Sequence, residues 1–294
     1  MLRALFLSLL LAGCAALPAP PAGSLVFALL GDTPYSQPEV EQLDGLIDEL
    51  NAAPLAFVVH VGDITTGRGP CTDVWFEARK RQFARIRAPF VLLPGDNDWT
   101  DCYRTGFDPL ERLAKWRALF CDAPQGLAVE RQSSLDARHA EYCEHLRWRA
   151  GDTLFIALNV QGSNNNLGRT PAMDAEHHRR MGAVFDWMDE AFRLAGSNGI
   201  GRLVFLIQAN PGFAGAEDFA RGLPDGFAGF REALAKGAAA LGKPVVVVNG
   251  DTHTFRDDTP LPGVRRIEVW GAPFVRWLRA VIGPDGALAV ETAP

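Results

Sequence analysis

The sequence predicts an α/β fold in which a mostly parallel sheet lies buried beneath helices. Short apolar runs rich in β-branched residues alternate with longer amphipathic ones, the pattern of βαβ units. Hydrophobic residues make up 48% of the 294 residues and charged residues 22%, which supplies a sizeable core and excludes a chain that is mainly disordered. The length fits one large domain.

Strands are expected where the short runs fall: Leu25 to Leu30, Leu55 to His60, Phe90 to Leu93, Thr153 to Asn159, Leu203 to Gln208 and Val245 to Asn249. The amphipathic runs between them predict helices over Glu39 to Asn51, Val74 to Ile86, Pro109 to Phe120, Asp174 to Leu194 and Phe227 to Leu241. The last quarter changes character. Arg265 to Trp270, Phe274 to Ile282 and Ala287 to Val290 are separated by Gly and Pro, so a β-rich end is expected there. Residues 121–148 break the alternation and read as an insertion in the single domain expected over 24–294.

Ahead of that domain, Arg3 precedes the apolar stretch Ala4 to Ala12, too short to span a bilayer and built like a secretory signal. Its end, Leu11-Ala12-Gly13-Cys14, resembles the bacterial lipobox, which implies lipidation at Cys14, a signal over 1–13 and a Pro/Ala tether over 14–23. The expected location is outside the cytoplasm, lipid-anchored and facing the periplasm. An ordinary signal peptide with an incidental cysteine is the alternative. The remaining cysteines, Cys71, Cys102, Cys121 and Cys143, suit disulfides in an oxidising compartment. Three pairings are open. Cys71 with Cys102 and Cys121 with Cys143 is favoured, because the first two follow strand ends and the last two bracket the insertion. No Cys-x-x-Cys spacing supports a zinc site. The net charge of -6 argues against nucleic acid as a partner.

Polar groups recur just after the strands. Asp32 follows Gly31, Asp63 follows Gly62, Asp96 and Asp98 follow Gly95, Asn210 follows Gln208-Ala209, and Asp251 and His253 follow Gly250. In an open α/β sheet the ligand crevice lies at the carboxyl ends of the strands, so these groups should converge. One such Asp is commonly a turn or helix-cap residue, and a third reading treats them all that way, but four Gly-Asp pairs at four strand ends point to a site. Carboxylates gathered together repel one another unless a cation sits among them.

These blocks, in this order, resemble the calcineurin-like metallophosphoesterase superfamily, with Asp-x-His, Gly-Asp, Gly-Asn-His-Asp/Glu, a His before Pro, and Gly-His-x-His. The resemblance implies a four-layer sandwich of β-sheets flanked by helices. It also implies Asp32 as the first metal ligand, Asp63 as the carboxylate bridging two metals, and His253 as the last histidine. The departures are Pro34 for the first histidine, Asp96 for the asparagine ligand, Asn97 for the histidine acid and Asp251 for the first histidine of the last block; neither Gln208 nor Asn210 is the fourth-block histidine. Most of these changes place oxygen where nitrogen is expected. The expected cofactor is one or two divalent metals, Mg²⁺, Mn²⁺ or Ca²⁺ over Zn²⁺, held by Asp32, Asp63, Asp96, Asp251 and His253 with Asn97 and Asn210 as neutral donors.

The activity implied is hydrolysis of a small phosphate ester by a metal-bound hydroxide. Asn97 cannot donate a proton to the leaving group, so Asp98 or His253 would have to substitute. Arg104 and Arg169 are candidate phosphate clamps, and Asn164, within Ser163-Asn164-Asn165-Asn166, is a candidate substrate contact. His177 and His178 read as a solvated helix face, His60 as a satisfied core histidine, and Trp99 as a rim residue. A lipoprotein that keeps the fold as a binding or scaffold protein, its catalysis lapsed, is the rival reading. The chain has no Walker A, His-Glu-x-x-His or Gly-x-Ser-x-Gly sequence.

Overall fold

The computed structural model describes residues 19–197, 199–213 and 222–293. The expected signal, Cys14 and most of the tether therefore lie outside the described residues. In chain order the first half runs β1 (Leu25–Leu30), α1 (Gln37–Ala52), β2 (Val58–His60), α2 (Asp73–Phe83), β3 (Phe90–Leu92) and α3 (Pro109–Phe120). Next come β4 (Glu130–Arg131), α4 (Gln132–Leu135), β5 (Leu146–Ala150), β6 (Thr153–Ala157), a one-turn α5 (Gly162–Asn165) and α6 (Pro171–Gly196). The chain closes with β7 (Arg202–Leu206), α7 (Ala228–Leu241), β8 (Val245–Asn249), β9 (Arg256–Leu261), β10 (Val264–Glu268), β11 (Leu278–Ile282) and β12 (Leu288–Thr292).

Two sheets form, ordered β12-β11-β1-β2-β3 and β4-β5-β6-β7-β8-β10-β9. The centre of each is parallel: β1, β2 and β3 in the first, and β6, β7, β8 and β10 in the second. Antiparallel strands adjoin the parallel run on one side in the first sheet and on both sides in the second. Alternation along the strands sorts side chains between layers. Phe27, Leu29, Phe57 and Val59 meet Phe155, Ala157, Val204 and Val246 in a core between the sheets. Ala28, Leu30 and Val58 face the other way, against Leu43, Ile47 and Phe76. On the far side Ile156, Leu203 and Phe205 pack under Val184, Trp187 and Leu234. The result is the expected four-layer sandwich, helix, sheet, sheet, helix.

The helix starts follow local chemistry. Ser36, Thr72, Asp108 and Thr170 each accept a hydrogen bond from a backbone N–H in the first turn of α1, α2, α3 and α6. Strand β9 carries no apolar pattern that would announce it, and the short alternation of β5, Leu146, Trp148 and Ala150 with Arg147 and Arg149, begins inside the expected insertion. Strand β9 is held by cross-strand ion pairs, Arg265 on Asp257 at 2.7 Å and Arg266 on Asp258 at 2.5 Å. Inside residues 121–148, β4 and the start of β5 extend the second sheet. Both favoured disulfides are present, Cys71–Cys102 and Cys121–Cys143. No helix among the described residues is long and apolar enough to cross a membrane.

Candidate functional site

The parallel strands deliver their following residues to one end of the sandwich. There Tyr35, Asp63, Asp96, Asn97, Asp101, Arg104, Ser163, Asn164, Asn210, Asp251 and His253 line a cleft of about 480 Å³. The turns that place them are unusual. Asp32 (φ 51°), Asp63 (62°), Asp251 (80°) and His253 (62°) are all left-handed, a region that few residues other than Gly, Asn, Asp and His occupy. Close approach demands glycine beside them: a Cβ on Gly95 would run into Asp63, and one on Gly250 into Asp32.

Asp32 is buried, and its Oδ1 accepts the Asp251 N–H at 2.9 Å. Asp63 Oδ1 accepts the Asn97 N–H at 3.0 Å, while its Oδ2 accepts from Tyr35 Oη at 3.0 Å and Gln208 Nε2 at 3.2 Å. Asp251 Oδ2 accepts the Asn210 N–H at 2.9 Å. His253 Nδ1 faces the Ala272 carbonyl at 2.8 Å, and its Nε2 lies 3.8 Å from Asp32 Oδ1. A carbonyl only accepts, so Nδ1 carries the proton; burial lowers the pKa of His253, which leaves Nε2 as a bare lone pair. Asp32 Oδ2 and Asp96 Oδ1 are buried with no hydrogen-bond partner.

Burial pushes the carboxyls of Asp32 and Asp63 well above the usual range, and their negative neighbours, Asp96 foremost, add to it. Burial, then the charge of Asp101, lifts Asp96 to about 7. Such a cluster must take up protons or a cation. The orphaned carboxylate oxygens and the mostly oxygen donor set fit divalent metal. The tight groups of three His, Cys, Asp or Glu ligand atoms among the described residues lie elsewhere: Cys121, Cys143 and Glu144, and Asp136, His139 and Asp186. The first contains a disulfide, and Arg138 already pairs with both carboxylates of the second.

Several candidate residues serve the frame. Asp98 is fully buried, and its carboxylate accepts the N–H groups of Asp63 (3.0 Å), Ile64 (2.8 Å) and Gly95 (2.8 Å). It braces the second and third blocks and does not line the cleft, so it is no substitute acid. Arg104 lines the cleft and pairs with Asp101 at 2.6 Å. Arg169 stands behind, on Asp101 at 2.8 Å and the Thr100 carbonyl at 2.6 Å. Asn164 reaches the cleft, but its amide is engaged with Leu167, Pro224 and Gly226. Asn210 also lines the cleft, with its Oδ1 3.3 Å from the Gly212 N–H. In the fourth block it is Gln208 that touches Asp63.

Two discounted residues behave differently from expectation. His177 is buried with Nδ1 on the Asn165 carbonyl at 2.7 Å, because Ser163 through Asn166 form a left-handed turn that presses on α6; His178 alone is solvated. Trp99 is fully buried beneath Arg180 rather than at the rim. His60 is the satisfied core histidine expected, on the Thr33 carbonyl at 2.9 Å and the Gly62 N–H at 3.2 Å. Tyr35 received no role from the sequence reading. Its hydroxyl touches Asp63, His253 and Asn97, and the only signal was its place three residues after Asp32.

No family model matches the chain, and no curated relative does. Solved structures do. A dimetal phosphatase from Danio rerio is similar over 92% of this chain and 99% of its own, at TM-score 0.54 and 12% identity. A purple acid phosphatase from yellow lupin seeds is similar over 94% of this chain and 52% of its own (TM-score 0.56, 13% identity). A 5'-nucleotidase from Candida albicans is similar over 91% and 51% (TM-score 0.51, 10% identity). The chain thus spans nearly all of the first and about half of the other two. It has the fold of the calcineurin-like metallophosphoesterases.

Proposed function

We propose that this chain is a divalent-cation-dependent hydrolase of small phosphate esters. One observation carries the reading: strand ends bring Asp63, Asp96, Asp251 and His253 to one cleft, Asp32 is buried against Asp251 and His253, and Asp32 Oδ2 and Asp96 Oδ1 are buried without partners. Mg²⁺, Mn²⁺ or Ca²⁺ suits these donors better than Zn²⁺. When bound, such ions supply the positive charge that draws in a phosphoryl group and make a water acidic enough to attack it near neutral pH.

The chain's own residues set the rest. Asp63, fixed through Asn97 N–H and Gln208, stands at the centre of the donor set. His253 offers Nε2, its ring locked by Ala272. Arg104 is the arginine on the cleft wall, placed to meet the phosphate oxygens that face away from the carboxylates. Asn97 lines the cleft as a hydrogen-bond donor without an acidic proton, so esters with good leaving groups are the favoured substrates. A second reading, a binding or scaffold protein with lapsed catalysis, is favoured by Asn97 and Pro34 standing where the fold family places histidines. We further propose export and lipid anchoring at Cys14 on the periplasmic side, which the two disulfides support.

The test is a thermal-shift titration of the purified protein with Mg²⁺, Mn²⁺, Ca²⁺ and Zn²⁺, alongside Asp63→Ala, followed by aryl phosphate monoesters and diesters with the best ion. At ion concentrations about 100-fold above Kd the native state should gain roughly 2.7 kcal/mol, and Asp63→Ala should lose both this gain and turnover. Equal shifts in the two proteins would sink the metal reading. Binding without turnover above Asp63→Ala would establish the scaffold reading. The same preparation checks the anchor: wild type partitions with membranes and Cys14→Ala does not.

A further inference from the structure

We infer that the groove between α6 and α7 is a second ligand site, shaped for a small aromatic molecule that carries one N–H or O–H donor. The inference goes beyond the phosphate-ester reading and does not depend on it.

Shape is the first argument. The groove holds about 320 Å³, within the range of small-molecule sites. Phe185 and Met181 of α6 and Phe230 of α7 give it an apolar, largely aromatic lining. Glycine keeps it open. Gly182 stands in the interior of α6, where glycine weakens a helix relative to alanine, yet a Cβ there would meet nothing within 4 Å. No crowding in the folded chain accounts for a glycine at this position, and a longer side chain would occupy the groove that Gly182 lines.

An unspent polar atom is the second. His177 is only 6% exposed and lines the groove. Its Nδ1 donates to the Asn165 carbonyl at 2.7 Å, and burial lowers its pKa to about 4, so the ring is neutral and Nε2 keeps a lone pair. Among the described residues that lone pair has no hydrogen-bond partner. His178, exposed, stands edge-on to the same ring at 5.2 Å. The carboxylate in the groove is already engaged: Asp225 accepts the Phe227 N–H at 2.9 Å and pairs with Arg231. The groove therefore offers a buried acceptor among apolar surfaces, and its complement is a flat apolar ligand with a single donor.

Position is the third. The walls of the groove are stitched to the turn that borders the cleft. Asn165 Nδ2 donates to the Gly226 carbonyl at 2.9 Å. Asn164 Nδ2 donates to the Pro224 carbonyl and its Oδ1 accepts the Gly226 N–H, both at 2.9 Å. Ser163 and Asn164 line the cleft, while Asn165 holds His177. A ligand on His177 Nε2 thus sits behind the turn whose front belongs to the cleft.

Isothermal titration of the purified protein with indole tests this, beside indene, which has the same shape and no donor, in wild type and Gly182→Leu. Imidazole ¹⁵N resonances are followed in parallel, and with six histidines in the chain those of His177 are resolvable. Indole should bind wild type, move the His177 Nε2 resonance, and bind about fivefold more tightly than indene, the worth of one neutral hydrogen bond. Gly182→Leu, which puts a side chain into open space, should keep the melting temperature and lose both ligands. Undetectable indole binding by wild type, equal affinity for indole and indene, or indole binding undiminished in Gly182→Leu would each overturn the site. So would binding that moves His253 and leaves His177 unmoved, because it would put indole in the cleft.

Discussion

His60 shows how single side chains near this cleft are fixed by what surrounds them. It is fully buried, donates from Nε2 to the Thr33 carbonyl and accepts the Gly62 N–H on Nδ1, so it is complete only as the neutral ring. Burial lowers its pKa from 6.5 to about 4. The sign follows: the unfolded chain takes up the proton first as pH falls, so the stability that His60 contributes is present above pH 6.5 and is lost as pH drops toward 4. The contribution is at most about 3 kcal/mol. The imidazole resonances of His60 should show no protonation down to pH 5, and a midpoint near 6.5 would refute the packing described. At this scale the sequence was a fair guide to residue type and a poor one to orientation. Asp98 and Asp96 sit two residues apart after the same strand, yet one faces three backbone N–H groups while the other lines the cleft. Nothing in Gly95-Asp96-Asn97-Asp98 distinguishes them.

Elements meet the site through the turns that end them. Asp98 ties the turn after β2 to the turn after β3, and without it three N–H donors lose their acceptor. Asp98→Ala should cost roughly 2 to 4 kcal/mol in urea denaturation and weaken metal binding by loosening Asp63, with no direct contact to the ion. An unaltered denaturation midpoint would contradict the bracing role. The elements that the sequence announced are those with an apolar pattern. Helix α3 occupies the expected residues, and β1 and β8 do as well. The unannounced ones, β5 and β9, alternate charge with apolar residues or rely on ion pairs across the sheet, and a single strand carries no record of its partner's charges.

For the molecule as a whole, the Cys71–Cys102 disulfide closes a loop of 31 residues that contains α2, β3 and the third block. Both of its sulfurs approach the Asn97 carbonyl, so it backs the site as well as restraining the chain. Replacing both cysteines by serine should lower stability by about 3 to 4 kcal/mol and lower the affinity for metal. A melting temperature unchanged by reductant would show that the bond adds nothing. The Cys121–Cys143 disulfide, by contrast, closes the insertion at the far edge of the second sheet, so its loss should affect stability and leave metal binding intact.

What the sequence determined by itself was the alternating α/β order, an even set of cysteines suited to disulfides and the strand ends from which the site is built. These are local facts: hydrophobic period, turn residues and a count of cysteines. Only the tertiary structure decided which polar side chains face inward together. It withdrew Asp98 and Arg169 into the frame, placed Gln208 on Asp63, buried His177, and set the Tyr35 hydroxyl between Asp63 and His253. The physical reason is distance along the chain. Tyr35 and His253 are 218 residues apart, and their contact exists because two sheets pack face to face and bring the ends of β1 and β8 together.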